Sequence, residues 1–181
     1  MADLTAARSP PLLPAAGALQ VLPPATRHVL RGGPGVRIRA GNALGFEVPA
    51  SACRAAVSGD CAALWLGPDE WLLIAPAAGT EATTNALGEA LASLPCSLVD
   101  VSHRQVGLMV SGPQAETLLA AGCPLDLEAG AFPVNMCTRT MLAKAEIVLW
   151  RTGAQAFRVE VWRSFAPYVA AFLAEAALGI I

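Results

Sequence analysis

Hydrophobic and polar residues follow the clearest pattern at residues 63–76, which read ALWLGPDEWLLIAP. Two apolar runs flank the four residues 67–70 (Gly-Pro-Asp-Glu), a sequence typical of turns, so this segment predicts a β-hairpin. A helix is predicted next, beginning at Thr80, because leucines then recur at helical spacing until Pro95. The chain therefore contains a strand, a turn, a strand and a helix in this order.

The second half of the chain repeats this order. Residues 146–151 and 157–162 read EIVLWR and FRVEVW, two strand patterns that are separated by a short turn. A helix is expected to follow, with Ser164 as its N-cap and Pro167 in its first turn. Its predicted apolar face consists of Tyr168, Val169, Phe172 and Leu173. This internal duplication predicts two small lobes of an antiparallel α+β fold.

Further segments complete the predicted organisation. Residues 36–40 read VRIRA and alternate between apolar residues and arginine, which predicts a strand. Residues 106–110 predict another strand, and a helix is expected between Pro113 and Gly122, since these residue types favour the two ends of a helix. Repeated prolines and glycines before residue 36 predict a tail. The expected domains are a proline-rich tail (1–35), a first lobe (36–98) and a second lobe (99–181).

The composition is rich in apolar residues and poor in charged ones. Of the 181 residues, 55% are hydrophobic and 14% are charged, against roughly 25% charged in an ordinary soluble domain. Either the surface is uncharged and alanine-rich, or a partner covers part of it. The net charge of −2, with Lys144 as the single lysine, excludes nucleic-acid binding through a basic face. The four tryptophans lie on predicted strands, and we expect one or two of them at an interface.

The five cysteines predict neither a disulfide framework nor a metal site. They are odd in number and widely spaced, without a Cys-x-x-Cys pair or a nearby histidine. Free thiols are typical of the reducing cytoplasm. No apolar run approaches the roughly 18 residues that cross a bilayer, and Asp3 and the prolines after it do not resemble a signal peptide. We therefore expect a cytoplasmic protein that does not bind a membrane.

The residue types of a catalytic triad occur close together at residues 100–103, which read DVSH. On a strand, Asp100 and Ser102 face one side and His103 faces the other, so a local Ser–His–Asp relay is excluded. We expect Asp100 and Ser102 to bond backbone groups at a strand end. The glycine-rich residues 31–35 lack the spacing of a phosphate-binding loop. No catalytic residue is therefore predicted.

Four segments, taken in order, resemble the gamma subunit of heterotetrameric sarcosine oxidase. They are LGPDEWLLIAP at 66–76, CPLDL at 123–127, FPVNMCTRTMLAKA at 132–145 and RSFAPYVAAFL at 163–173. Asn135 stands where that family usually has glycine, and asparagine is the next residue that tolerates a left-handed turn. The resemblance implies a non-catalytic structural subunit. The implied complex converts sarcosine to glycine, formaldehyde or methylene-tetrahydrofolate, and hydrogen peroxide by flavin-dependent oxidative demethylation.

That family is in turn similar to the folate-binding aminomethyltransferase of the glycine-cleavage system. Residues 100–103 (DVSH) and 111–115 (SGPQA) match the opening motifs of that enzyme. Each polar pair of its folate site is half replaced here, because leucine precedes Asp126 and alanine precedes Glu146. Asp126 and Glu146 are therefore candidates for a vestigial folate site. Pterin recognition needs paired polar groups, so this chain is expected to bind no cofactor.

The resemblance also implies partners. This chain is expected to pack on the alpha subunit, with the beta and delta subunits in the same complex. FAD, FMN, NAD, zinc and tetrahydrofolate are expected on those subunits. The interface candidates are His103, Arg104, Arg139, Arg163 and the C-terminal residues 178–181. Two alternatives stay open: a stand-alone folate-binding one-carbon enzyme that uses Asp126 and Glu146, and a folate-fold module that regulates another partner. Self-association of the isolated chain through the same apolar surface is a further expectation.

Overall fold

The computed structural model describes residues 18–179. Within this part of the chain, ten strands and four helices follow one another. In chain order they are β1 Ala18–Val21, β2 Ala25–Gly32, α1 Pro34–Leu44, β3 Ala55–Ser58, β4 Cys61–Gly67, β5 Glu70–Pro76, α2 Thr80–Leu91, β6 Cys96–Asp100, β7 Gln105–Ser111, α3 Ala115–Ala120, β8 Cys137–Leu142, β9 Ala145–Gly153, β10 Ala156–Trp162 and α4 Ala166–Leu178.

The strands form two five-stranded sheets that lie face to face. The first sheet has the order β3-β4-β5-β2-β6, the second has the order β1-β7-β10-β9-β8, and neighbouring strands run antiparallel. Helices α1 and α2 pack on the outer face of the first sheet, and α3 and α4 pack on that of the second. A separate apolar cluster lies between the sheets. The described chain thus has four layers, and the predicted α+β fold is confirmed.

The two predicted hairpins and the helix that follows each of them are present. β4 and β5 form the first hairpin, in which Trp65 lies opposite Trp71, and α2 begins at the predicted Thr80. β9 and β10 form the second hairpin, followed by α4. The cap of α4 differs from the prediction. The N-cap is Phe165, which makes no capping side-chain hydrogen bond. The helix begins one residue later than predicted, because Pro167 favours a position at the very start of a helix.

The predicted strand at residues 36–40 is wrong, since these residues lie in helix α1. Val36 and Ala40 are four positions apart, so one face of the helix buries both. The five-residue alternation of VRIRA fits both periods, and Pro34 at the helix start decides between them, because its fixed φ suits the first turn. The predicted helix between Pro113 and Gly122 is shorter than expected and consists of α3 alone.

The prediction of a tail is wrong for the residues from 18 onwards, and residues 1–17 lie outside the described part of the chain. β2 is an inner strand of the first sheet, between β5 and β6. β1 pairs with β7 at an edge of the second sheet. The predicted lobe limits shift as well, because the first sheet begins at Ala25 and ends at Asp100. The second sheet includes β1, although β1 precedes every strand of the first sheet in the chain.

A long irregular segment joins α3 to β8, and Arg151 of β9 holds it against the second sheet. The Arg151 Nη1 donates hydrogen bonds to the carbonyl oxygens of Leu127 (2.9 Å) and Phe132 (3.0 Å). Its guanidinium carbon lies 4.9 Å from the centroid of the Phe157 ring. Near the end of this segment Asn135 has a φ of 65°, so the expected left-handed turn is present without glycine.

Candidate functional site

A buried ion pair joins the two sheets. Nε of Arg27 on β2 lies 2.6 Å from Oε2 of Glu160 on β10, and the two side chains are 2% and 1% exposed. Arg158 Nε donates a second hydrogen bond, of 2.7 Å, to Glu160 Oε1. Gly107 lies opposite Glu160 in the sheet, and a Cβ atom there would lie only 3.0 Å from Glu160 Oε1. Glycine at this position therefore leaves room for the carboxylate.

A cleft of about 420 Å³ opens between the sheets beside this ion pair, with Glu160 in its lining. Its apolar wall comes from both sheets: Val29 and Leu72 from the first, and Val148 from the second. Strand registry explains which other side chains enter it. Since side chains alternate along a strand, Glu160 and Trp162 of β10 share a face, and Gln105 lies opposite Trp162 on β7. We call this space the inter-sheet cleft.

Glu70 and Arg139 form a second connection between the sheets, at the β8 side of the cleft. Arg139 Nη1 donates to Glu70 Oε2 at 3.1 Å, and its Nη2 contacts the other carboxylate oxygen. The hydrogen bond from the Arg139 guanidinium holds the pKa of Glu70 below its usual value, and the same bond raises the pKa of Arg139. Arg31, also in the lining, pairs with Asp69, with Nη2 and Oδ2 3.0 Å apart.

Three cleft residues have polar groups that lack a hydrogen-bond or ion-pair partner among the described residues. Gln105 is 8% exposed, and its buried Oε1 accepts no hydrogen bond from any described residue. The guanidinium carbon of Arg104 lies 5.1 Å from the Trp162 ring centroid, and this arginine forms no ion pair within residues 18–179. Glu146 is exposed and is likewise absent from the ion pairs of that range.

The cleft has the chemistry of a binding site. Its lining contains arginines, carboxylates, an amide, the Ser97 hydroxyl and apolar side chains. Glu160 is bonded to two arginines. Among residues 18–179, no group of three or more His, Cys, Asp and Glu side chains is arranged to hold a metal ion.

The two vestigial folate candidates are not brought together in the cleft. Glu146 lies on β9 and lines it, whereas Asp126 does not. Asp126 is exposed in the segment before β8, where its Oδ1 accepts a 3.0 Å hydrogen bond from the Glu128 backbone N–H. A paired polar recognition group is therefore not formed by Asp126 and Glu146.

Only two of the predicted interface candidates lie in the cleft. Arg104 and Arg139 both line the inter-sheet cleft. Arg163 is exposed and follows β10, where its backbone N–H donates to the Arg104 carbonyl oxygen at 2.7 Å. His103 is exposed beside Arg104 but is not in the cleft lining. Of the C-terminal candidates, Leu178 is 63% exposed, and residues 180–181 lie outside the described range.

Asp100 and Ser102 bond backbone groups, as the sequence predicts. Asp100 Oδ1 accepts a 2.8 Å hydrogen bond from the Ser102 N–H, and Ser102 Oγ accepts one of 2.8 Å from the Arg27 N–H. Hydrogen bonds from Ser102 lower the pKa of Asp100. These contacts fasten the turn between β6 and β7 to β2, directly beside the residues that enter the cleft.

Several cleft residues carry no prediction from the sequence, among them Gln105, Glu160 and Trp162. The alternation in FRVEVW does place Glu160 and Trp162 on a face opposite that of Val159. That pattern shows that the strand has two different faces. It does not show that the polar face meets a second sheet, because the packing of the sheets depends on residues far apart in the chain.

Comparison with known proteins gives a consistent result. The model of the sarcosine oxidase, gamma subunit family matches residues 32–178. Sarcosine oxidase subunit gamma of Corynebacterium sp. (strain P-1) is 41% identical over 115 residues, which are 64% of this chain and 56% of that relative. This chain thus spans a little over half the length of that relative. No helix within residues 18–179 is long and apolar enough to cross a membrane.

Two solved structures are similar in fold. A chain of the heterotetrameric sarcosine oxidase from Corynebacterium sp. U-96, in complex with pyrrole 2-carboxylate, has a TM-score of 0.84 and 33% identity, over 90% of this chain and 84% of that one. The glycine cleavage system aminomethyltransferase T from Bartonella henselae has a TM-score of 0.67 and 16% identity, over 88% of this chain and 45% of that one. The second likeness concerns the fold alone, and it confirms the predicted resemblance of folds.

Proposed function

Because the chain belongs to the sarcosine oxidase gamma subunit family, we propose that it is the non-catalytic gamma subunit of a heterotetrameric sarcosine oxidase. The observation that carries the proposal is the family match over residues 32–178. The fold, similar at a TM-score of 0.84 to a chain of the Corynebacterium complex, supports it. In this role the chain supports flavin-dependent oxidation of sarcosine to glycine, formaldehyde or methylene-tetrahydrofolate, and hydrogen peroxide.

The proposed partners are an alpha subunit in direct contact and beta and delta subunits in the same complex. FAD, FMN, NAD, zinc and tetrahydrofolate are proposed to bind those subunits and not this chain. The proposed compartment is the cytoplasm, where the five cysteines stay as thiols.

The protonation of a buried thiol agrees with a structural role. Burial raises the pKa of Cys137 to about 12. The Cys137 thiol donates a 3.6 Å hydrogen bond to the Trp65 carbonyl oxygen, which a thiolate could not do. At neutral pH the Cys137 side chain is therefore a thiol and not the thiolate that nucleophilic chemistry requires. We assign Cys137 to the packing between the sheets, where it is fully buried.

Co-expression of the tagged chain with the alpha, beta and delta subunits of its own organism tests the proposal. We expect all four to co-purify, with flavin absorbance and sarcosine-dependent peroxide formation in the complex. The same chain purified alone should show neither flavin absorbance nor oxidase activity. Flavin bound to the isolated chain, or a complex that assembles without it at full activity, would contradict the proposal.

The alternative, a folate-binding one-carbon enzyme, makes a different prediction. Titration of tetrahydrofolate into the isolated chain by calorimetry should then give heat that is lost in Asp126→Asn and Glu146→Gln variants. Because Glu146 lines the cleft and Asp126 does not, we expect no heat of binding. Saturable heat that depends on both carboxylates would replace the subunit proposal with the enzyme.

Charge reversal tests the interface candidates directly. Arg104→Glu and Arg163→Glu should each weaken co-purification with the alpha subunit if these residues contact it. Arg39→Glu is a suitable control, because Arg39 is exposed on α1, on the outer face of the first sheet. Unchanged assembly of both variants would exclude Arg104 and Arg163 as contacts.

A further inference from the structure

We infer that the inter-sheet cleft receives an extended segment of a partner subunit and recognises it through main-chain amide groups. The inference rests on the proposed function, since a subunit of a complex has such a partner. The site consists of Gln105, Trp162 and Glu146, which lie on neighbouring strands, with Arg104 beside them. The occupant is an uncharged stretch of polypeptide. Three observations carry it.

The first observation is an unsatisfied acceptor. Gln105 Oε1 is one of two buried side-chain polar atoms without a hydrogen-bond partner in residues 18–179. The other, Trp150 Nε1, lies in the apolar cluster between the sheets. A buried acceptor without a donor loses its hydrogen bonds to water without replacement, which destabilises the folded chain. Since Gln105 lines the cleft and its terminal amide can turn about its last side-chain bond, an occupant that brings an N–H group removes this destabilisation.

The second observation is the balance of charges. The carboxylate of Glu160 is paired with Arg27 and Arg158, and that of Glu70 is paired with Arg139. Arg31 is paired with Asp69. The cleft groups outside these pairs are the guanidinium of Arg104, the carboxylate of Glu146, the Gln105 amide and the Ser97 hydroxyl.

One cation, one anion and one neutral amide suit an occupant that both donates and accepts hydrogen bonds without a net charge. A peptide group does both, because its N–H donates and its carbonyl oxygen accepts. An acidic side chain would pair with Arg104 alone and a basic one with Glu146 alone, whereas the peptide groups of one segment can bond to both.

The third observation is the shape and exposure of the rim. Trp162 is 43% exposed and Val99 on β6 is 49% exposed, although both line the cleft. Small-molecule pockets usually bury most of their ligand, whereas an open rim with an exposed tryptophan is typical of a protein interface. β6 is also an edge strand, which pairs with β2 alone among the described strands. An extended chain is the form of polypeptide that fits beside such an edge.

The substitution Gln105→Met tests the inference, because it keeps the length of the side chain and removes the acceptor. In the isolated chain this change removes an unsatisfied polar group, so we expect an unchanged or higher midpoint of thermal unfolding. In the complex it removes a hydrogen bond to the partner, so we expect an affinity for the other subunits that is lower by about 10-fold. A higher unfolding midpoint together with a lower affinity for the other subunits would show that Gln105 serves binding of the partner and not folding of the chain.

Two further variants support this measurement. Trp162→Ala should also weaken assembly by about 10-fold or more, with little change in the unfolding midpoint, since the side chain is already half exposed. Gln155→Met is the matched control. Gln155 is exposed in the turn between β9 and β10 and is not in the cleft lining, so the same substitution should leave assembly unchanged.

The outcomes are distinguishable. If the wild-type chain joins the complex and Gln105→Met joins it with equal affinity, the inference about the cleft is wrong and the proposed function stands. A loss of assembly that is matched by an equal loss of folding stability would also overturn it, because Gln105 would then be structural. Failure of the wild-type chain to join the complex overturns both proposals.

Titration of glycine into the isolated chain tests whether the cleft instead binds a small zwitterion, with one ammonium and one carboxylate group. We expect no saturable heat. Binding that disappears in Gln105→Met would assign the cleft to a small molecule and overturn the inference.

Discussion

Arg27 of the first sheet and Glu160 of the second form a buried ion pair with 2.6 Å between Nε and Oε2. Removing one member of such a pair leaves the other charged and buried, which typically costs 3–5 kcal/mol. Glu160 accepts from Arg158 as well, so Glu160→Gln retains part of the hydrogen bonding but loses the charge. We expect it to lower the free energy of unfolding by about 2–4 kcal/mol in urea denaturation.

Two controls interpret that loss. Glu175→Gln changes an exposed carboxylate on α4 and should stay within about 0.5 kcal/mol of the wild type. The double variant Arg27→Met with Glu160→Leu replaces the pair by apolar groups and should recover part of the stability lost in Glu160→Gln. A Glu160→Gln protein as stable as the wild type would show that the ion pair does not hold the sheets together.

Arg151 makes a set of hydrogen bonds that lysine cannot reproduce. Its guanidinium donates to the carbonyl oxygens of Leu127, Phe132 and Ala154, the last at 2.6 Å. A lysine carries its donors on a single nitrogen and lacks the planar fork, so Arg151→Lys leaves at least one buried carbonyl unpaired. We expect a loss of about 2–4 kcal/mol in the free energy of unfolding, measured by urea denaturation.

The matched control is Arg163→Lys, at an exposed position after β10. The isolated chain should tolerate it within about 0.5 kcal/mol. If both arginine variants unfold at the same urea concentration as the wild type, the hydrogen bonds of Arg151 contribute nothing measurable to the fold.

Ala143 has a φ of 51° in the turn between β8 and β9, a left-handed conformation that disfavours a Cβ atom. Ala143→Gly removes that penalty, which is partly offset by the greater freedom of glycine in the unfolded chain. We expect a net stabilisation of about 0.5–1 kcal/mol in the free energy of unfolding. Ala78→Gly, in an exposed loop with negative φ, should have the opposite sign, and equal effects of both would disprove the role of φ.

The Glu70–Arg139 pair predicts a pH dependence of stability. The hydrogen bond from Arg139 lowers the pKa of the Glu70 carboxyl from its usual value of 4.5. A carboxyl whose pKa is lowered by folding adds stability above its unfolded pKa, and this contribution is lost as the pH falls through the folded pKa. The difference in unfolding midpoint between the wild type and Glu70→Gln should therefore be constant above about pH 5 and shrink below pH 4.5.

Arg139→Gln separates the ion pair from other effects of Glu70. In that background Glu70→Gln should change the acid side of the stability profile much less, because the cause of the lowered pKa is gone. An acid profile that is identical with and without Arg139 would contradict this explanation.

The sequence predicts elements whose signals are local. The hairpin of β4 and β5 has a turn between two apolar runs, and the structure contains it at the predicted place. β2 was missed for a physical reason. Its buried residues include Thr26, Arg27 and His28, so no apolar run marks it. Their partners, such as Glu160 for Arg27 and Thr84 for His28, lie far away in the chain, and a local pattern cannot show that these polar groups are satisfied.

The same reason limits prediction of the site. Arg104 and Arg139 are interface candidates from the sequence and both line the cleft, but their convergence there depends on the packing of two sheets. Gln105 carries no signal in the sequence, because an unsatisfied acceptor is defined by what surrounds it. Asp126 is a candidate through the resemblance to the aminomethyltransferase, and the structure places it outside the cleft.

The pairing of β1 with β7 affects the order in which the two sheets can form during synthesis on the ribosome. The first sheet has all its strands once Asp100 has emerged, whereas the second sheet needs Trp162. β1 emerges before both, and its Leu19 must wait for Val110 to find its place in the ladder. The nascent chain therefore carries an unpaired strand while the first sheet is already complete. A C-terminal half that begins after Asp100 therefore lacks β1, an edge strand of the second sheet.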